Sequence, residues 1–189
     1  MKQLFYFLLL IIPVFSCNKT AGVQPTAHEN SEYQEKLMRE GWTFQTLSNG
    51  ELSEDYGIMP VYGLQDNYFD ITMGEGYNIA VKIMDASSQR CIRYVYVNEN
   101  STATVSQIPQ GRYYIKLAYG TEWMELASDS VIVGKFTRNA FYERSCDIYD
   151  FGKKNSLDEV NYELKINVKD SIGMNNFETS PISEEEFLR

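Results

Sequence analysis

Few side chains in this sequence could do chemistry, and their spacing narrows what that chemistry would be. There are three thiols, Cys17, Cys91 and Cys146, and one imidazole, His28. A thiol can be acylated, paired in a disulfide or, as thiolate, bound to a metal. A Cys91–Cys146 bridge would close a loop of about 56 residues and contribute about 4 kcal/mol in the chain-entropy view. The alternative is two separate thiols packed as small apolar groups. Neither has neighbours at zinc-site spacing. A nucleophile–histidine site would need His28 brought back from a polar N-terminal stretch, and a solvated linker histidine is the simpler reading. Asp66 with Asp70, or Asp147 with Asp150, could hold calcium or share acid–base work, but neither pair has the spacing of an EF-hand loop. Gly74-Glu75-Gly76 has no helix after it to make a phosphate cradle. No cofactor or metal site is therefore expected. The remaining candidates are aromatic: Tyr94, Tyr96, Tyr114 and Trp123, in adjacent expected strands. Exposed, they would suit a glycan or protein surface. Buried, they would be cross-strand packing.

The elements that must position these residues are mostly strands. Residues 18–30 are polar and read as a flexible tether. Ser31 to Glu40 could form a short helix stopped at Gly41. From Trp42 the punctuation is that of strands and turns, and Asn49-Gly50 signals a hairpin. Strands are expected at Tyr68–Met73, Tyr77–Met84, Cys91–Val97, Thr102–Ile108 and Arg112–Tyr119. Later ones are expected at 130–133, 135–142, 146–151 and 160–168. Tyr77, Ile79, Val81 and Ile83 alternate onto one face, as do Tyr113, Ile115, Leu117 and Tyr119. Both faces of Cys91–Val97 are apolar, which predicts a strand covered on two sides. The pattern is that of an all-β, antiparallel sandwich over residues 42–177. Residues 178–189, with Glu184-Glu185-Glu186, read as a loose acidic tail. The formal net charge is -9, and such a surface repels phosphate backbones, so nucleic acid is not an expected partner.

The N-terminus has a different character. Met1-Lys2 precedes 12 residues from Leu4 to Phe15 that are apolar apart from a break at Pro13. A spanning helix needs about 20 apolar residues, so residues 1–16 read as a cleaved signal peptide. Val14-Phe15-Ser16-Cys17 resembles the lipobox of bacterial lipoproteins. The resemblance implies that Cys17 becomes the mature N-terminus and carries the lipid, with residues 17–41 as the tether. Two or three acyl chains would make attachment permanent. Asn18 in place of Asp favours the outer membrane. The acids that send some relatives in the Bacteroidetes to the cell surface are missing after Lys19, which favours a periplasm-facing domain.

Ile108-Pro109-Gln110-Gly111-Arg112-Tyr113 resembles the turn of carboxypeptidase regulatory-like, prealbumin-type (transthyretin-like) β-sandwiches. There Ile108 ends one strand of a hairpin, Pro109 and Gly111 make the turn, and Tyr113 opens the next strand. The chain also resembles Bacteroidetes lipoproteins in Trp123 and in Gly134–Ala140. The resemblance implies a fold and no activity. The expectation is a non-enzymatic, lipid-anchored envelope sandwich that binds a protein partner or supports an assembly. The alternative is a surface glycan-binder, and a carboxylate-dependent hydrolase comes third.

Overall fold

The computed structural model describes residues 27–52, 54–128, 130–152, 159–168 and 175–189. The signal segment 1–16 and Cys17 lie outside the described residues. Helix α1 is Ala27–Arg39. The strands are β1 Thr43–Phe44, β2 Gly50–Glu51, β3 Tyr68–Met73, β4 Asn78–Asp85, β5 Cys91–Val97, β6 Ser101–Ser106, β7 Arg112–Ala127, β8 Ile132–Ser145, β9 Tyr149–Asp150, β10 Tyr162–Ile166 and β11 Thr179–Pro181. Helix α2 is Glu184–Leu188. Among the described residues no helix is long and apolar enough to cross a membrane.

The fold is all-β, in two sheets. The larger has the order β11-β8-β7-β4-β5-β2, with β1 and β9 also paired to β7. The smaller has the order β10-β3-β6. All pairs are antiparallel except β10 with β3, which is parallel and departs from the expected pattern. Parallel pairing follows from the long route the chain takes between these two strands.

The sheets share one core. Ile79, Val81 and Ile83 of β4 and Tyr113, Ile115, Leu117 and Tyr119 of β7 face Phe69 and Ile71 of β3, Val105 of β6 and Leu164 of β10. The alternation read from the sequence thus sorts onto the inner face. The outer face of the large sheet is also apolar. Ala80, Tyr94, Tyr96, Ala118, Trp123 and Phe136 form a second cluster there with Phe187 of α2. The two-sided apolar pattern of β5 has this cause.

Helix α1 and the segment from β11 to α2 serve as cover, which corrects two expectations. The described part of the tether, from Ala27, is a docked helix that buries Leu37. It starts before Ser31, and it ends as expected at Gly41 (φ +95°). There Trp42 N donates to Leu37 O at 3.0 Å and Gly41 N to Met38 O at 3.1 Å, a Schellman stop. The acidic tail is not loose. Strand β11 pairs with β8, Ser183 caps α2 by accepting from Glu186 N at 3.0 Å, and Phe187 is 1% exposed. Burying that ring is worth about 2 kcal/mol, enough to hold a short helix that would not form alone.

Three local readings also change. Asn49-Gly50 makes no hairpin: β1 pairs β7 and β2 pairs β5, while Asn49 Oδ1 accepts from Asn98 N at 2.8 Å. The Ile108–Tyr113 segment is not a hairpin either. Its flanking strands lie in different sheets, β6 beside β3 and β7 beside β4, so Pro109–Gly111 is a corner between sheets. The Tyr113 ring folds back across it, with its hydroxyl donating to Pro109 O at 3.0 Å. A Cβ at Gly111 would stand 2.9 Å from that hydroxyl oxygen. Finally, Gly120 does not end the strand. Strand β7 runs on to Ala127, past a register shift between Tyr119 and Thr121.

At that shift a Cβ on Gly120 would stand 2.4 Å from the Cβ of the buried Phe136. Gly120→Ala should cost about 1–3 kcal/mol, the usual range for overpacking. Urea unfolding checks it, and an unchanged midpoint would show that β8 can yield there.

Candidate binding surfaces

Cys91 and Cys146 are not brought together. Cys91 is a free thiol at the start of β5. Cys146 follows the end of β8. Strands β4 and β7 lie between β5 and β8. Three inter-strand steps of about 4.8 Å place the two strands about 14 Å apart. A bridge needs Cα atoms within about 7 Å. The Cys91–Cys146 bridge is therefore not formed. Burial first of all pushes the Cys91 thiol up to about 11, so it is an inert packing group.

The candidate aromatics are not an exposed face. Tyr94, Tyr96, Tyr114 and Trp123 are each 2–3% exposed. Trp123 packs edge-on against Phe136 and Tyr96, and Tyr94 meets Tyr56 and Phe187. Cross-strand packing is what these residues do. Three of the four candidate carboxylates are also spent locally. Asp70 accepts from Thr104 Oγ1 at 2.6 Å, Asp150 from Gly152 N at 2.8 Å, and Asp147 from Glu178 N at 3.1 Å. His28 falls within α1.

Two features missed in the sequence stand out instead. The first is the loop between β2 and β3. Met59 is 71% exposed, Val61 40%, Tyr62 58% and Leu64 103%, so four large apolar side chains project from six consecutive positions. Their backbone is fixed. Val61 N donates to Ile92 O at 3.2 Å and Gly63 N to Gln107 O at 2.7 Å. Beneath them lies Arg93, with no exposed surface. Its Nη1 donates to the carbonyls of Val61 and Ile92, its Nε is 3.3 Å from Glu51 Oε1, and its guanidinium stacks on Tyr62 at 3.9 Å. Desolvating a guanidinium is costly, and here it holds a loop in shape. Asn67, also buried, clamps the adjoining corner through both amide atoms, to Ile108 O at 2.9 Å and Ile108 N at 2.8 Å. Loop and corner enclose an open cleft of about 410 Å³, lined by Gly63, Leu64, Gln65, Pro109, Gln110 and Glu159. A signal was present in the sequence: Ile58-Met59-Pro60-Val61-Tyr62-Gly63-Leu64 is apolar yet carries Pro and Gly, which disfavour a central strand.

The second feature is a row of cations under the C-terminal segment. Lys82 of β4 pairs with Lys116 of β7, and Lys116 with Arg144 of β8. Both lysines are 6% exposed. Lys82 Nζ donates to Phe187 O at 2.9 Å and Leu188 O at 3.2 Å, and Lys116 Nζ to Glu186 O at 2.5 Å. These are the carbonyls that the end of α2 leaves without partners in the helix. Lys82 also lies over the rings of Tyr94 and Phe187, 5.2 and 5.0 Å from their centroids. Burial lowers Lys82 to about 8 and lowers Lys116 as well. Nearby, Lys135 bonds Glu184 at 2.9 Å and stacks on Tyr33 and Trp42, joining the two chain ends.

Arg93→Ala should loosen the Met59–Leu64 loop before it unfolds the sheets. Limited chymotrypsin digestion should cut at Tyr62 or Leu64 at least about tenfold faster, a gain of roughly 1.4 kcal/mol in local opening. Equal cutting of both proteins would show that Arg93 does not hold the loop. For Lys82, the folded value of about 8 lies below the ordinary 10.5. Between those values the unfolded chain binds more protons, so this group adds stability as pH rises. The cost of burying its charge is greatest below pH 8. Lys82→Met removes that cost, so its stability relative to the parent should fall between pH 8 and 10.5 by up to about 1.4 kcal/mol per pH unit. A pH-independent difference would contradict the buried ammonium.

No family model, no curated protein and no solved structure matches this chain.

Proposed function

We propose that this protein is a lipid-anchored envelope β-sandwich of the prealbumin-like type that binds a protein partner through the Met59–Leu64 loop. The observation that carries the reading is the exposure of Met59, Val61, Tyr62 and Leu64 on a backbone fixed by the buried Arg93. Exposed apolar groups cost solubility, and their clustering marks an interaction site. A loop already held in shape loses little entropy on binding. Asp66 and Glu159 adjoin it as an acidic border, Glu159 lining the cleft and accepting from Asp66 N at 2.9 Å. The partner it fits has an apolar pocket with a basic border. The lipobox-like Val14–Cys17 supports the anchor, Asn18 supports the outer membrane, and the lack of acids after Lys19 supports its periplasmic face. Two sheets sharing one core support the sandwich in this reading. The work assigned to it is binding, not catalysis.

A photo-crosslinking residue at position 64 in cells should yield one discrete adduct in the membrane fraction. The same residue at position 165, on β10 of the small sheet, should not. With Cys17→Ser the adduct should leave the membrane fraction. Identical adducts from both positions would end the loop assignment, and membrane retention of Cys17→Ser would end the anchor.

A further inference from the structure

The outer face of the large sheet is built to receive the end of helix α2. Three successive main-chain carbonyls, of Glu186, Phe187 and Leu188, meet the ammonium groups of Lys82 and Lys116. Phe187 fills an aromatic socket between Tyr94 and Tyr142, with ring centroids 6.1 and 5.5 Å away. Beyond the lysines, Arg144 lies over Tyr114 at 4.1 Å, and Lys135 takes Glu184. The two lysines answer carbonyls that apolar side chains would leave unpaired. Lysines that point at carbonyl oxygens select for a free helix end, and the neighbouring cations select for acids upstream of it.

We propose that Lys82, Lys116, Lys135 and the Tyr94–Tyr142 socket form a receptor site for segment 178–189, filled in cis here and able to take the same segment from a second copy of this chain. Three observations favour a second copy as the occupant. The polypeptide seen to fit is the segment itself. Its helix has only five residues, so its release disturbs few other contacts. The net charge of -9 makes two copies repel over most of their surfaces, whereas this cationic floor attracts the other copy's Glu184–Glu186. Exchange of an identical terminal element is a low-cost route to a dimer.

The test uses full-length chains and a labelled synthetic peptide of residues 178–189. Phe187→Ala leaves the receptor intact and weakens the cis occupant. It should bind the peptide at least about tenfold more tightly than the parent chain, in which the cis segment competes. The double variant Lys82→Met, Lys116→Met should not bind it. Light scattering on a mixture of the two variants should show a 1:1 heterodimer, each variant alone being monomeric. A folded Phe187→Ala chain that ignores the peptide, or a mixture that stays monomeric, overturns the proposal. If Phe187→Ala does not fold, the parent chain supplies the answer. At high concentration it should form dimers that excess peptide dissociates, and dimers untouched by peptide, or none, overturn the proposal equally.

Discussion

The middle strands of the large sheet are buried on both faces, and most of the architecture answers that constraint. In β4 every residue from Ile79 to Met84 is buried. A sheet of this kind cannot leave either face in water. The inner face is met by the three-stranded sheet, which contributes Phe69, Ile71, Val105 and Leu164. Among the described residues no second sheet covers the outer face. It is closed piecemeal, by the loop that carries Tyr56 and by α2 with Phe187, with α1 reaching Lys135 through Tyr33. Helices α1 and α2 are therefore structural parts, although neither has the composition of a core element.

The two candidate surfaces follow from the same constraint. Covering the outer face with chain ends leaves main-chain carbonyls of α2 above the sheet, and the side chains beneath them have to be donors. Lys82 and Lys116 meet that need at an electrostatic cost, visible in the lowered proton affinity of Lys82. At the opposite side of β5, near the border between the sheets, the loop before β3 crosses without a strand partner of its own. Its Val61 carbonyl is met by Arg93, and its apolar side chains are left outside. In both places a buried cation holds an irregular segment where no ladder could.

Much of this was legible because strand alternation is local. The inward sets of β4 and β7 were readable from a period of two, as was the double apolar character of β5. The helix stop at Gly41 was readable from one residue. What was misread shares a cause: partner choice. Asn49-Gly50 has the chemistry of a hairpin, but its flanking strands found better partners in β7 and β5. Pro109–Gly111 has the chemistry of a turn, but the strands on its two sides belong to different sheets. The tail looked like solvated acid because Phe187 is one aromatic residue beside three glutamates, and only the cationic floor explains its burial. Cys91 and Cys146 look pairable until the strand order puts β4 and β7 between them.

By itself the sequence determined the class of the fold, the faces of its central strands and the lipobox-like start at Cys17, because each is set by the identity and order of neighbouring residues. It also held the apolar Pro- and Gly-bearing run from Ile58 to Leu64. Tertiary structure alone decided that this run lies outside on a buried arginine, that the four candidate aromatics lie inside, and that Lys82 meets Lys116 beneath the last helix. Those outcomes depend on which strands pair across long stretches of chain, and strand pairing is settled by the burial of whole faces, not by any local signal.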